Sequence, residues 1–136
     1  MNTPTRRAIS AYVQTGIESA VPEADAHQLV EMLYEGAVAA VADARIKLEG
    51  GDIPGRGHAI SKAISIVDSG LRGSLNLGQG GELASSLEAL YQYISSRLLQ
   101  ANLKADARAL EEASTLLTRL QGAWVDIGRP ETAAAL

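Results

Sequence analysis

ELASSLEALYQYISSRLLQANLKAD, residues 82–106, is the stretch whose reading decides the fold. Wound as an α-helix, it brings Leu83, Leu87, Leu90, Ile94, Leu98 and Ala101 into one stripe, because their separations are all three or four. That stripe is a core face. Tyr91 and Tyr93 flank it, while Leu99 and Leu103 form an i, i+4 pair that points the other way. A single buried face therefore leaves apolar residues over, and the rest of the chain must supply both the other walls of a core and a use for that surplus.

On the C-terminal side, Asp106 is a suitable N-cap for a last helix over roughly residues 106–127. Its Leu110, Ala113, Leu117, Leu120, Trp124 and Ile127 alternate steps of three and four, the spacing of helices packed at small crossing angles. Gly128 and Pro130 end it, and residues 129–136, with no packing signal, are expected to be a disordered tail.

On the N-terminal side, the glycine-rich run Asn76 to Gly81 predicts a loop. Before it, Ile53, Ile60, Ile64, Val67, Leu71 and Leu75 make a narrow stripe on a helix starting near Asp52, with Pro54 tolerated in the first turn. Gly70 and Gly73 lie inside this helix, where another backbone is expected to come close. Farther upstream, Asp25 and Gln28 have capping-box spacing at the head of a helix that should run to Gly50-Gly51. Leu29, Leu33, Gly36, Ala37, Ala40 and Ala44 form its main stripe, but Val30, Tyr34, Val38, Val41 and Leu48 widen the apolar arc to roughly twice that of a surface helix. Such a helix is either central or offers a second apolar face. Residues 1–23 read as a mobile tail with a short helix around Ile9, Tyr12, Val13 and Ile17.

Four long helices joined by short loops predict an all-α fold, an antiparallel up-down four-helix bundle with a short N-terminal helical segment, forming one domain over residues 1–128. A chain of 136 residues is long enough for one real core and too short for two comfortable ones.

Composition narrows the chemistry. A net charge of −4 offers no attraction to phosphate backbones, so nucleic acid is not an expected partner. Without cysteine there is neither a disulfide framework nor a thiol nucleophile. No continuous apolar run follows Arg6 and Arg7 as in a signal peptide, and none is long enough to span a membrane, so a cytoplasmic location without membrane insertion is expected. His27 and His58, the only imidazoles, belong to no Glu-x-x-His pair and read as exposed helix-end residues. The glycine clusters lack the Lys-Ser/Thr of a phosphate loop. The expectation is a non-enzyme with no cofactor and no metal.

What remains is apolar surface. Tyr34, Val38 and Val41 of the first long helix, with Leu99 and Leu103 of the third, are candidates for an exposed groove. The N-terminal Ile9, Tyr12 and Val13 are positioned to cover part of it.

MLYEGA at 32–37, GGELASSLEALYQY at 80–93, ANLKAD at 101–106 and LQGAW at 120–124 together resemble the flagellar export chaperone FliS family, in order and spacing from about Tyr12 to Ile127. The resemblance implies a cytosolic bundle that binds the C-terminal segment of flagellin, disordered when free, and so prevents premature polymerisation before type III export. Export-gate components and other flagellar regulators are further candidate partners. It also implies that the family's tail tyrosine, matched by Tyr12, lies over part of the binding surface. Where the family usually has Ser-Pro before the first long helix, this chain has Asp25-Ala26, which preserves capping. The candidate flagellin-binding residues are thus Ile9, Tyr12, Val30, Tyr34, Val38, Val41, Tyr91, Leu99 and Leu103. The alternative is a non-catalytic adaptor or homo-oligomeric bundle without a flagellin client.

Overall fold

The computed structural model describes residues 23–128. Four helices follow one another: α1 (Glu23–Glu49), α2 (Ile53–Ser65), α3 (Leu77–Lys104) and α4 (Ala107–Ile127). The rod of α2 continues through a π-helical segment (Ile66–Leu71) and one 3₁₀ turn (Arg72–Ser74). Among the described residues there is no strand, and no helix is long and apolar enough to cross a membrane. The expected all-α bundle is therefore what forms. The short helical segment and mobile tail expected over residues 1–22, with Ile9 and Tyr12, and the disordered tail expected at residues 129–136 lie outside the described residues.

Short connections dictate the topology. At the end of α1 the amide of Asp52 donates to the Lys47 carbonyl and that of Gly51 to the Leu48 carbonyl, with Gly51 at φ 74. This pattern closes a helix on a left-handed residue, a conformation a glycine adopts without a Cβ clash. Asp52 then caps α2 by accepting from the Gly55 amide at 2.9 Å. The α3–α4 turn repeats the device, with Asp106 donating its amide to the Ala101 carbonyl and its carboxylate accepting from the amides of Arg108 and Ala109. Here the left-handed position belongs to Ala105, at φ 51.

Around the bundle α1 packs on α2 and α4, and α3 packs on the same two helices. Arg56 near the start of α2 donates to Asn102 near the end of α3, and Arg97 of α3 pairs with Glu112 of α4 at 2.7 Å, as antiparallel neighbours must. The wide apolar arc of α1 is taken up by packing on α2, on the π-helical segment that continues α2, and on α4. The buried residues of α1 are Ala26, Val30, Tyr34, Ala37, Ala40, Val41 and Ala44, so the expected stripe is buried at Ala37, Ala40 and Ala44 but only partly at Leu29 and Leu33, where Ala26, Val30 and Tyr34 are innermost instead.

Local expectations needed correction in several places. Asp25 is not the first cap, because α1 already starts at Glu23, where an acidic and a small helix-forming residue suit a helix N-terminus. The predicted loop at 76–81 instead contains a helical turn, interrupted at Gly81 with φ 60 and ψ −141. A Cβ at Gly70 would stand 3.0 Å from the Leu33 Cδ2, so this glycine makes room for a side chain, not a backbone. Gly73 meets only the carbonyl of Asp68 in its own rod.

Candidate functional site

α3 buries the second half of its expected stripe, Ile94, Leu98 and Ala101, but at its start the seam moves to Ala84 and Tyr91, with Leu87 and Leu90 only partly buried. Ala84, Tyr91, Ile94, Leu98 and Ala101 are buried, whereas Leu83 at the stripe's start is 49% exposed. Tyr91 thus points inward from α3 towards Tyr34 of α1, and their hydroxyls hydrogen-bond across the bundle. Trp124, in the last turns of α4, lies against Tyr34 with ring centroids 6.5 Å apart and donates its indole N–H to the carbonyl of His27 at 2.9 Å. The His27 ring stacks on the same indole at 4.3 Å and 8°.

These large rings do not fill the end of the bundle where they meet. A cavity of about 220 Å³ opens there, walled by Val30 and Tyr34 of α1, Ser74 at the end of the 3₁₀ turn and Leu75 after it, Leu83, Leu87 and Tyr91 of α3, and Leu120, Ala123, Trp124 and Ile127 of α4. Each helix contributes the terminus that the up-down topology brings to this end.

Electrostatically the cavity is inert. The Ser74 hydroxyl is spent on the Leu71 carbonyl at 2.7 Å, and the two tyrosine hydroxyls satisfy each other. Burial pushes both phenols above the ordinary tyrosine range, so they stay neutral at physiological pH. Such a cavity suits aliphatic or aromatic side chains and gives an ionic ligand no counter-charge. Among the described residues no group of three or more His, Asp and Glu is gathered as metal ligands would be.

The residues picked from sequence are only partly brought together. Val30, Tyr34 and Tyr91 share the cavity wall, but as buried residues instead of an exposed groove. Val41 is wholly buried between helices and Val38 is partly buried against the core, so neither faces outward as expected. The reason is that an arc as wide as that of α1 has no phase of its own; its neighbours α2 and α4 decide which residues are innermost. Leu99 and Leu103 do look outward, 51% and 73% exposed, but they do not line the cavity.

Sequence reasoning missed the contribution of Leu75, Leu83, Leu120, Trp124 and Ile127, which had been assigned wholly to core stripes. The available signal was position: each ends its stripe at the same end of an antiparallel bundle, where packing partners run out. His27 is likewise not an exposed helix-end residue, whereas His58 is exposed.

Fold and cavity together define a small helical-bundle protein whose distinguishing feature is an apolar cavity at one end. The chain belongs to the FliS family, the flagellar secretion chaperones: the family model described as "Flagellar protein FliS" matches residues 8–131. Among its relatives, the flagellar secretion chaperone FliS of Salmonella typhimurium is 50% identical over 123 residues, covering 90% of this chain and 91% of the relative. FliS of Escherichia coli is 42% identical, covering 87% of each chain. The flagellar secretion chaperone FliSB of Pseudomonas aeruginosa is 40% identical, covering 87% of this chain and 93% of the relative.

Proposed function

We propose that this chain is a cytosolic export chaperone that binds the C-terminal segment of flagellin, prevents its premature polymerisation and keeps it competent for flagellar type III export. The observation that carries this reading is the apolar cavity, whose rim includes Leu83 and Ile127, 49% and 59% exposed. A self-associating amphipathic segment loses its sticky face when an apolar side chain enters such a cavity and neighbouring residues lie along the exposed apolar positions. Ordering the client offsets part of the gain, which favours a complex that can later be released. The membership of a family of secretion chaperones supports the same reading. Leu99 and Leu103, exposed on α3, extend the contact.

Calorimetry with a flagellin C-terminal fragment tests the proposal. Stoichiometric binding that Leu83→Asp weakens about tenfold or more, roughly 1.4 kcal/mol, with the helical circular dichroism unchanged, is the expected result. Absence of heat and of co-elution at tens of micromolar overturns it.

A further inference from the structure

His27 occupies a position that a merely structural residue does not need. Its ring lies flat on the indole of Trp124, and its own backbone carbonyl accepts the indole N–H, so one residue grips both the face and the edge of the same side chain. The Nε2 atom is buried and has no hydrogen-bond partner among the described residues. A Cβ on Gly128 would run into that atom, so the end of α4 closes over the imidazole edge only because residue 128 is glycine. Trp124 in turn lines the cavity and touches Tyr34.

We propose that His27 is a positioning residue for Trp124: with Nε2 bare it clasps the indole against the cavity wall, and a proton on Nε2 opens the clasp. The proposal rests on the reading of the cavity as the client site. Its physical basis is that an N–H at Nε2 would be buried between an aromatic face and the α4 terminus, where the ring is packed as a neutral group. The groups that act on the imidazole are few. Glu31, one turn farther along α1, and the backbone of Trp124 on α4 favour the charged form, while burial outweighs both and lowers the pKa from the ordinary imidazole value. Among the described residues, Glu31 is the one charged side chain that shifts it. Because the folded state holds this proton less tightly than the unfolded one, the clasp is intact at neutral pH and is lost as pH falls below the ordinary histidine value of about 6.5.

Trp124 is the only tryptophan in the chain, so its fluorescence reports on the clasp directly. Titrated from about pH 8 to about pH 5, roughly 1.5 units either side of the ordinary histidine value, the emission of the wild-type protein is expected to change sigmoidally. The same change is expected in His58→Gln and is absent in His27→Gln. In parallel, binding of the flagellin C-terminal fragment is expected to weaken roughly threefold to tenfold over that range in the wild type, and not in His27→Gln. A His27 imidazole that titrates by NMR at or above the ordinary value, or an emission change that survives in His27→Gln, overturns the proposal; the NMR measurement decides it even where that variant fails to fold. A fragment that binds at no pH refutes the client reading alone, since the fluorescence and NMR results do not depend on it.

Discussion

Where α1 turns into α2 and α3 into α4, the core consists of small side chains with a few leucines and isoleucines between them: Ala44, Ala59, Ala101, Ala109 and Ala113 with Ile60, Leu98 and Leu110, all essentially without exposure. At the opposite end the core is built round Tyr34, Tyr91 and Trp124, beside a cavity. Alanines let backbones approach until the leucines between them interlock. Rings with polar tips are bulky and must also satisfy an O–H or N–H, which fixes them in positions that packing alone would not choose. The same four helices thus make a sealed core at one end and a binding cavity at the other. The turns differ accordingly, since the sealed end has two closely matched capped turns, whereas the cavity end contains the π segment, the 3₁₀ turn and the break at Gly81.

The strongest way to break this contrast is to delete a side chain at each end. Leu110→Ala, in the sealed end, is expected to lower the unfolding free energy by about 2–5 kcal/mol. Leu83→Ala, on the cavity rim, is expected to lower it by less than about 1 kcal/mol. Urea denaturation of the two variants measures both, and equal losses would mean that the cavity rim is core after all.

A smaller effect probes the polar tips. Tyr34→Phe leaves the Tyr91 hydroxyl buried without its partner and should destabilise by about 1–2 kcal/mol, whereas the double change Tyr34→Phe, Tyr91→Phe should be nearer neutral. The pair also predicts a pH dependence. Folded Tyr34 and Tyr91 hold their protons above the usual tyrosine range. The unfolded chain therefore gives up protons first, and the stability present below about pH 10 declines as pH rises past it. In the double variant that share of the alkaline decline should disappear from the denaturation midpoints.

The smallest expected effect sharpens the comparison between the two turns of the sealed end. Gly51→Ala places a Cβ at φ 74 and should cost about 1 kcal/mol, while Ala105→Gly relieves one at φ 51 and should gain about 0.5–1 kcal/mol. Thermal unfolding of the two variants checks the opposite signs.

Much of the fold was legible because helix periodicity is a local property. The cap at Asp106, the stop at Gly50-Gly51 and the stripe of α4 from Leu110 to Trp124 all stand where the sequence places them. The candidate site was legible only in part. Val30, Tyr34 and Tyr91 were named, yet their inward direction was not seen, because Tyr91 sat at the edge of a stripe read from Leu83 and the broad arc of α1 admitted more than one phase. The pairing of His27 with Trp124 joins residues 97 apart in the chain, and nothing in the spacing of either foreshadows it.

By itself, then, the sequence determined the helices, their order, the short turns that make them antiparallel and the family to which the four motifs point, since each of these follows from neighbours within a few turns of chain. Only the tertiary structure decided which face of α1 is innermost, that Leu83 and Ile127 are rim rather than core, and that Tyr34, Tyr91, Trp124 and His27 meet beside a cavity. The physical reason is that burial is a property of the space between helices. That space is set by how closely the backbones can approach, which the small residues at one end permit and the linked rings at the other prevent.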